Sequence, residues 1–116
     1  MHGPANDLFQ REESIMPHVT MFHFKALPGR RQAVIDHFRK WEREQKSKAT
    51  GFQRSILVSS NSDPDEFMGG VRWDSTENYE MNANRPEQDA WFQELRPNLV
   101  ADPEWFDGTL KRELMA

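Results

Sequence analysis

The chain has 116 residues, 15 Lys and Arg against 19 Asp and Glu, and a formal net charge of −4. That length holds one domain with its own core, and mild acidity is a poor match for a phosphate backbone, so no nucleic-acid partner is expected. Cysteine is absent, which excludes disulfides, thiolate catalysis and iron–sulfur clusters, and no apolar run nears the roughly 18 residues of a membrane span.

Residues 1–16 are mixed and polar and read as a flexible or loosely docked arm. A short helix over Asp7 to Ile15 is compatible with the pattern. No hydrophobic segment lies in Met1 to Glu13, so no signal peptide is expected and a cytoplasmic location is the reading. Residues 17–116 form the expected single domain.

Pro17 to Lys25 is β-branched and aromatic and predicts a strand covered on both faces. Leu27-Pro28-Gly29 is a turn. Arg30 to Lys48 predicts a helix whose stripe is Val34, Phe38, Trp41 and Gln45, with His37 inside it. Gly51 supplies its stop. Phe52 to Ser59 and Glu66 to Trp73 predict an antiparallel hairpin. Gly69-Gly70 within the second of these strands marks a bulge or a close approach to the backbone.

Asp74 and Ser75 open a helix to about Ala83, with Asp74 and Glu77 at capping-box spacing. Pro86 restarts a helical piece with Trp91, Phe92 and Leu95 as its apolar set. Trp105 to Leu114 predicts the last strand. The order βαββαβ is the ferredoxin-like arrangement: an α+β fold, an antiparallel four-stranded sheet with helices on one face. The strands look apolar on the other face as well, so a homodimer joined through the sheet faces is expected.

The sequence resembles the antibiotic biosynthesis monooxygenase family from about Pro17 to Leu114. The resemblance rests on Val19 to Lys25 followed by Pro28-Gly29, on the long first helix ending at Gly51-Phe52, on Val71-Arg72-Trp73-Asp74-Ser75 passing into a helix, and on PEQDAWFQEL from Pro86 to Leu95. It implies that the homodimer is a dimeric α/β barrel with a pocket in each subunit between helices and sheet. It also implies oxidation of a small aromatic phenol or quinol by O2 without a cofactor. The alternative is a non-catalytic dimer that binds a small molecule in the same pocket.

Such chemistry needs a proton acceptor, a donor for the developing oxyanion and a dry aromatic cage. Trp73 is the first candidate: the family places a Trp there, lining the pocket, and its indole N–H is only a donor. His37, on the apolar stripe of the first helix, is the candidate base. Tyr79 can donate or relay a proton. Phe22, Phe38, Trp41, Asn78, Asn82, Trp91 and Phe92 are the candidate substrate contacts. His18, at the start of its strand, is expected to be exposed, and His23 is expected on the opposite sheet face from Phe22 and Phe24.

Family members that degrade haem use an Asn on the first strand and a His after the third. This chain has neither, so haem is disfavoured. No metal-ligand spacing is present either, so no cofactor and no metal are expected.

Overall fold

The computed structural model describes residues 16–116. The expected arm and its helix lie almost wholly outside them. Four strands are present: β1 (His18–Lys25), β2 (Phe52–Ser59), β3 (Glu66–Trp73) and β4 (Glu104–Thr109). The helices are α1 (Arg31–Glu44), α2 (Thr76–Ala83) and α3 (Pro86–Leu95), and single 3-10 turns follow α1 and α3. The sheet order is β2-β3-β1-β4, every pair antiparallel. This is the ferredoxin-like α+β fold.

Strand alternation separates the two faces of the sheet. His18, Thr20, Phe22 and Phe24 are buried on the helix side of β1, opposite Trp73, Val71, Gly69 and Phe67 of β3. The core lies there: Phe22, Phe24, Ala26, Val34, Phe67, Leu95 and Leu99 pack together. Met21, Met68, Ile56, Val58 and Phe106 occupy the other face and are exposed. Apolar residues therefore stand on both faces of the sheet, but among the described residues helices cover only one.

Gly69 is where backbone and ring meet. A Cβ there would lie 2.6 Å from Cζ of Phe22 and would overlap the Ile56 carbonyl oxygen. The register from β1 to β3 runs through Gly69 and Gly70 without a break, so close approach, not a bulge, explains the pair. The irregularity in the sheet falls instead in β2, between Phe52 and Arg54. Gly51, at φ +84°, ends the segment after α1 in a conformation that favours glycine.

Other local details differ from the sequence reading. Regular α1 ends at Glu44, and a 3-10 turn covers Lys46–Lys48. Ser75, not Asp74, caps α2: its hydroxyl accepts from the Asn78 backbone N–H at 3.1 Å. Asp74 accepts from the Asn78 side chain instead. Strand β4 stops at Thr109, well short of Leu114. Leu110 N–H still bonds the Pro17 carbonyl, and beyond it Glu113 pairs with both Arg72 and Arg54, so the chain leaves β4 for the side of β3 and β2.

Gly69→Ala is expected to lower stability by about 1–3 kcal/mol, the usual cost of an overpacked core. A Cβ at Gly70 makes only ordinary contacts, its nearest neighbour being the Thr20 carbonyl oxygen at 3.7 Å. Gly70→Ala is expected to change stability little. Urea unfolding of the two variants checks the contrast.

Candidate active site

Between the helices and the sheet lies a cavity of about 1070 Å³. That is the upper end of the range for small-molecule sites and holds a multi-ring aromatic compound. Its rim is charged, with Arg39, Glu42 and Lys46 on one side and Arg54 on the other. Its walls are rings: Phe22, Phe38, Trp41, Trp91 and Phe92 all line it. Phe22 and Phe38 meet at 5.7 Å between centroids, and Phe38 meets Trp91 edge-on at 5.1 Å.

Trp73, at the end of β3, lines the same cavity and is 3% exposed. Its ring contacts Phe52 and Tyr79 edge-on. Its indole nitrogen Nε1 is buried and has no hydrogen-bond partner among the described residues. A buried donor without an acceptor costs about 1–3 kcal/mol, which sets this side chain apart from its paired neighbours.

Beside it lies a polar cluster that the sequence reading missed. His18 is 4% exposed, not at the surface. Its Nε2 is 2.8 Å from Oγ1 of Thr20 and 3.3 Å from Oδ1 of Asp107. Its Nδ1 is 3.2 Å from Oγ1 of Thr76, and its ring stacks on Tyr79 at 4.1 Å. The Thr20 hydroxyl donates to Asp107 at 2.6 Å. Thr20, Tyr79 and Asp107 all line the cavity. Alternation in β1 was the available signal: a parity that buries Phe22 and Phe24 also buries His18 and Thr20. Asp107 needed the pairing of Thr20 with Asp107 across β1 and β4, which no local pattern supplies.

Burial pushes the Tyr79 hydroxyl above its ordinary pKa, and the charge of Asp107 adds to this, against a hydrogen bond with Thr20 that acts the other way. Tyr79 therefore stays protonated through the neutral range and serves as a donor.

Asn82 is buried on the wall of the cavity and is fixed by Arg85, which donates to its Oδ1 at 3.0 Å. Gln88 Oε1 accepts from Trp41 Nε1 at 2.7 Å and from Asn82 Nδ2 at 3.3 Å. This small network closes the cavity beneath α2 and α3.

Two of the expected residues lie elsewhere. His37 does not line the cavity. Its Nε2–H donates to the Trp91 carbonyl at 2.7 Å, Trp91 Nε1 donates to the His37 carbonyl at 3.0 Å, and the two rings stack. The reason is helical phase. Residues 37 and 40 form the flank of α1 that meets α3, where Lys40 also pairs with Glu94, while Val34, Phe38 and Trp41 turn to the sheet. Asn78 sits at the start of α2, bonded to Asp74 at 2.8 Å and packed over Gly51, outside the cavity wall. His23 lies on the open sheet face, bonded to Glu66 at 2.7 Å. Among the described residues no group of three or more His, Asp or Glu side chains is placed to hold a metal ion.

The antibiotic biosynthesis monooxygenase family matches residues 17–94, from the start of β1 into α3. The chain belongs to this family. No curated protein sequence matches it, but solved structures do. A variant of SnoaB, a cofactor-independent oxygenase from Streptomyces nogalater, superposes with a TM-score of 0.75 at 14% identity, covering 84% of this chain and 96% of that one. A conserved protein from Methanosarcina mazei Go1 gives 0.74 at 13% identity, covering 87% and 99%. A Chloroflexus aurantiacus protein described as an antibiotic biosynthesis monooxygenase gives 0.69 at 22% identity, covering 85% and 97%. At these identities the likeness carries the fold alone. The family match includes Thr20, Trp73 and Tyr79 but stops before Asp107. The polar cluster of this monooxygenase-family chain thus joins matched and unmatched segments.

His37→Ala is expected to lower stability by about 1–3 kcal/mol, since it leaves the Trp91 carbonyl without its donor. Thermal unfolding checks this. Tyr79 is the only tyrosine in the sequence, so its phenolate absorbance titrates without overlap from a second tyrosine. The midpoint is expected above the free value of about 10 and should fall in Asp107→Asn, which removes a neighbouring negative charge.

Proposed function

We propose that the protein is a homodimeric monooxygenase that oxidises a small aromatic phenol or quinol with O2 and needs no cofactor. The observation that carries this reading is the buried, partnerless Nε1–H of Trp73 in a ring-lined cavity. A phenol oxygen accepts from that donor while its rings stack among Phe22, Phe38 and Trp91. Loss of the hydroxyl proton gives a phenolate, whose negative charge the Trp73 N–H stabilises in a site screened from water.

The phenolate then passes one electron to O2, and the two radicals join at the ring carbon para to the oxygen. The O–O bond breaks, that carbon becomes a carbonyl, and the second oxygen atom leaves as water. The substrate loses four electrons and O2 takes all four, so the balance of phenol plus O2 to quinone plus water closes without a reductant.

The dimer reading is supported by the exposed side chains of Met21, Ile56, Val58, Met68 and Phe106 on the open sheet face. Pairing two such faces removes a large apolar patch from water. Val58→Arg is expected to shift the protein toward monomer in sedimentation at micromolar concentration. An unchanged oligomer would remove this part of the reading.

The catalytic test uses a panel of phenols and quinols, 1,5-dihydroxynaphthalene among them, in air and under nitrogen. Quinone is expected only in air, with labelled oxygen from O2 in the product. Trp73→Phe is expected to slow turnover about 100-fold, the usual loss of one oxyanion donor. Identical products with and without O2 would end the oxygenase reading. Tight binding of the panel without turnover would make the protein a binder of small aromatic molecules.

A further inference from the structure

Deprotonating the substrate requires an acceptor, and His37 does not reach the cavity. Three side-chain atoms beside the cavity form a closed triangle: His18 Nε2, Thr20 Oγ1 and Asp107 Oδ1, with sides of 2.8, 2.6 and 3.3 Å, the Asp107 carboxylate standing half-exposed at its outer corner. Three electronegative atoms at these distances repel unless protons lie between them. The carboxylate has none to give. The Thr20 hydroxyl therefore donates to Asp107, and His18 carries its proton on Nε2 and donates to Thr20. This leaves Nδ1 to accept from the Thr76 hydroxyl at 3.2 Å. Both ring nitrogens of His18 are then occupied, and His18 is not itself on the cavity wall. Thr20 and Asp107 are.

We infer that Asp107 is the group that takes the substrate's hydroxyl proton, directly or through the Thr20 hydroxyl, and that His18 is the positioning residue that holds the pair. This rests on the phenol-oxidation reading above. In the relayed step the substrate O–H bond breaks and its proton moves to Thr20 Oγ1, while the proton already on Thr20 moves to Asp107. No electrons are exchanged: a phenol and a carboxylate become a phenolate and a carboxylic acid.

The placement suits the task. Two other cavity-lining carboxylates, Glu42 and Asp89, sit on helices, whereas Asp107 sits on the sheet directly across from Thr20. Tyr79, held protonated, stacks on His18 and shields the cluster. Trp73 pairs with His18 in the neighbouring strand, so the oxyanion donor and the proton acceptor flank β1 from opposite sides.

The experiment compares wild type with Asp107→Asn, Thr20→Val, Thr20→Ser, His18→Gln and His18→Leu, each checked for folding by circular dichroism. Two readouts are taken: turnover of 1,5-dihydroxynaphthalene in air, and the ionisation of bound 4-nitrophenol, whose yellow phenolate reports its own charge. Asp107→Asn is expected to lose turnover about 100-fold, within the range of a general base. Bound 4-nitrophenol should ionise at a pH lower by about half a unit or more in that variant, because the carboxylate charge that opposes the phenolate is gone.

Thr20→Ser should keep the rate and Thr20→Val should lose it. His18→Gln, whose amide nitrogen can replace Nε2, should retain most of kcat, and His18→Leu should lose kcat with KM unchanged. Wild-type turnover in Asp107→Asn, or an unshifted 4-nitrophenol midpoint, overturns the inference. If the wild type oxidises no phenol yet the midpoint still shifts, the oxygenase reading falls and the assignment of Asp107 as acceptor stands.

Discussion

Strand β1 sets the terms for everything that happens beneath the helices. Its inner residues run His18, Thr20, Phe22, Phe24, polar at one end and aromatic at the other. Strand geometry forces all four onto one face. The aromatic end joins the core, with Phe22 lying against Gly69 and Phe24 stacked on Phe67 at 5.4 Å. The polar end cannot be covered by hydrocarbon without cost, so it recruits Asp107, Thr76 and Tyr79. The gradient along one strand thus divides the fold into a packed half and a chemical half.

The cavity follows from the same division. Ring side chains are large and stiff, and they meet stacked or edge-on instead of interdigitating as aliphatic chains do. Helix α1 sets its Phe38 on Phe22 and Phe24 and its Trp41 against Phe52 of β2, and the cavity lies among these rings. Along that cavity the polar atoms of Thr20 and Asn82 are paired, as are those of His18 behind Thr20, in keeping with the rule for buried polar groups. Trp73 Nε1 is the exception among the described residues. One unsatisfied donor amid satisfied neighbours is a different statement from a loosely packed interior, and it belongs to a residue of the cavity wall.

Much of the architecture was readable along the chain. The alternation of β1, the Asn-Arg-Pro restart before α3 and the capping residues before α2 each act over a few residues, so local sequence carries them. Strand β4 was read too long because Leu110 and Leu114 continue the apolar rhythm, yet Leu110 and Glu113 are drawn to Pro17, Arg54 and Arg72, contacts made across the sheet. His37 was misplaced because it is one residue from Phe38. A step of one residue turns an α-helix by about 100°, enough to move a side chain from the sheet to a neighbouring helix.

By itself the sequence determined the order of elements, the ring-rich interior, the absence of sulfur chemistry and the position of Trp73 at a strand end. These depend on composition and on periods of two and 3.6 residues, which are local quantities. Only the tertiary structure decided which polar groups meet beside the cavity. His18 and Asp107 stand 89 positions apart, and they meet because β1 pairs with β4 in one register. Hydrogen bonds act over a few ångströms of space, and separation along a chain says nothing about that distance until the strands have been paired.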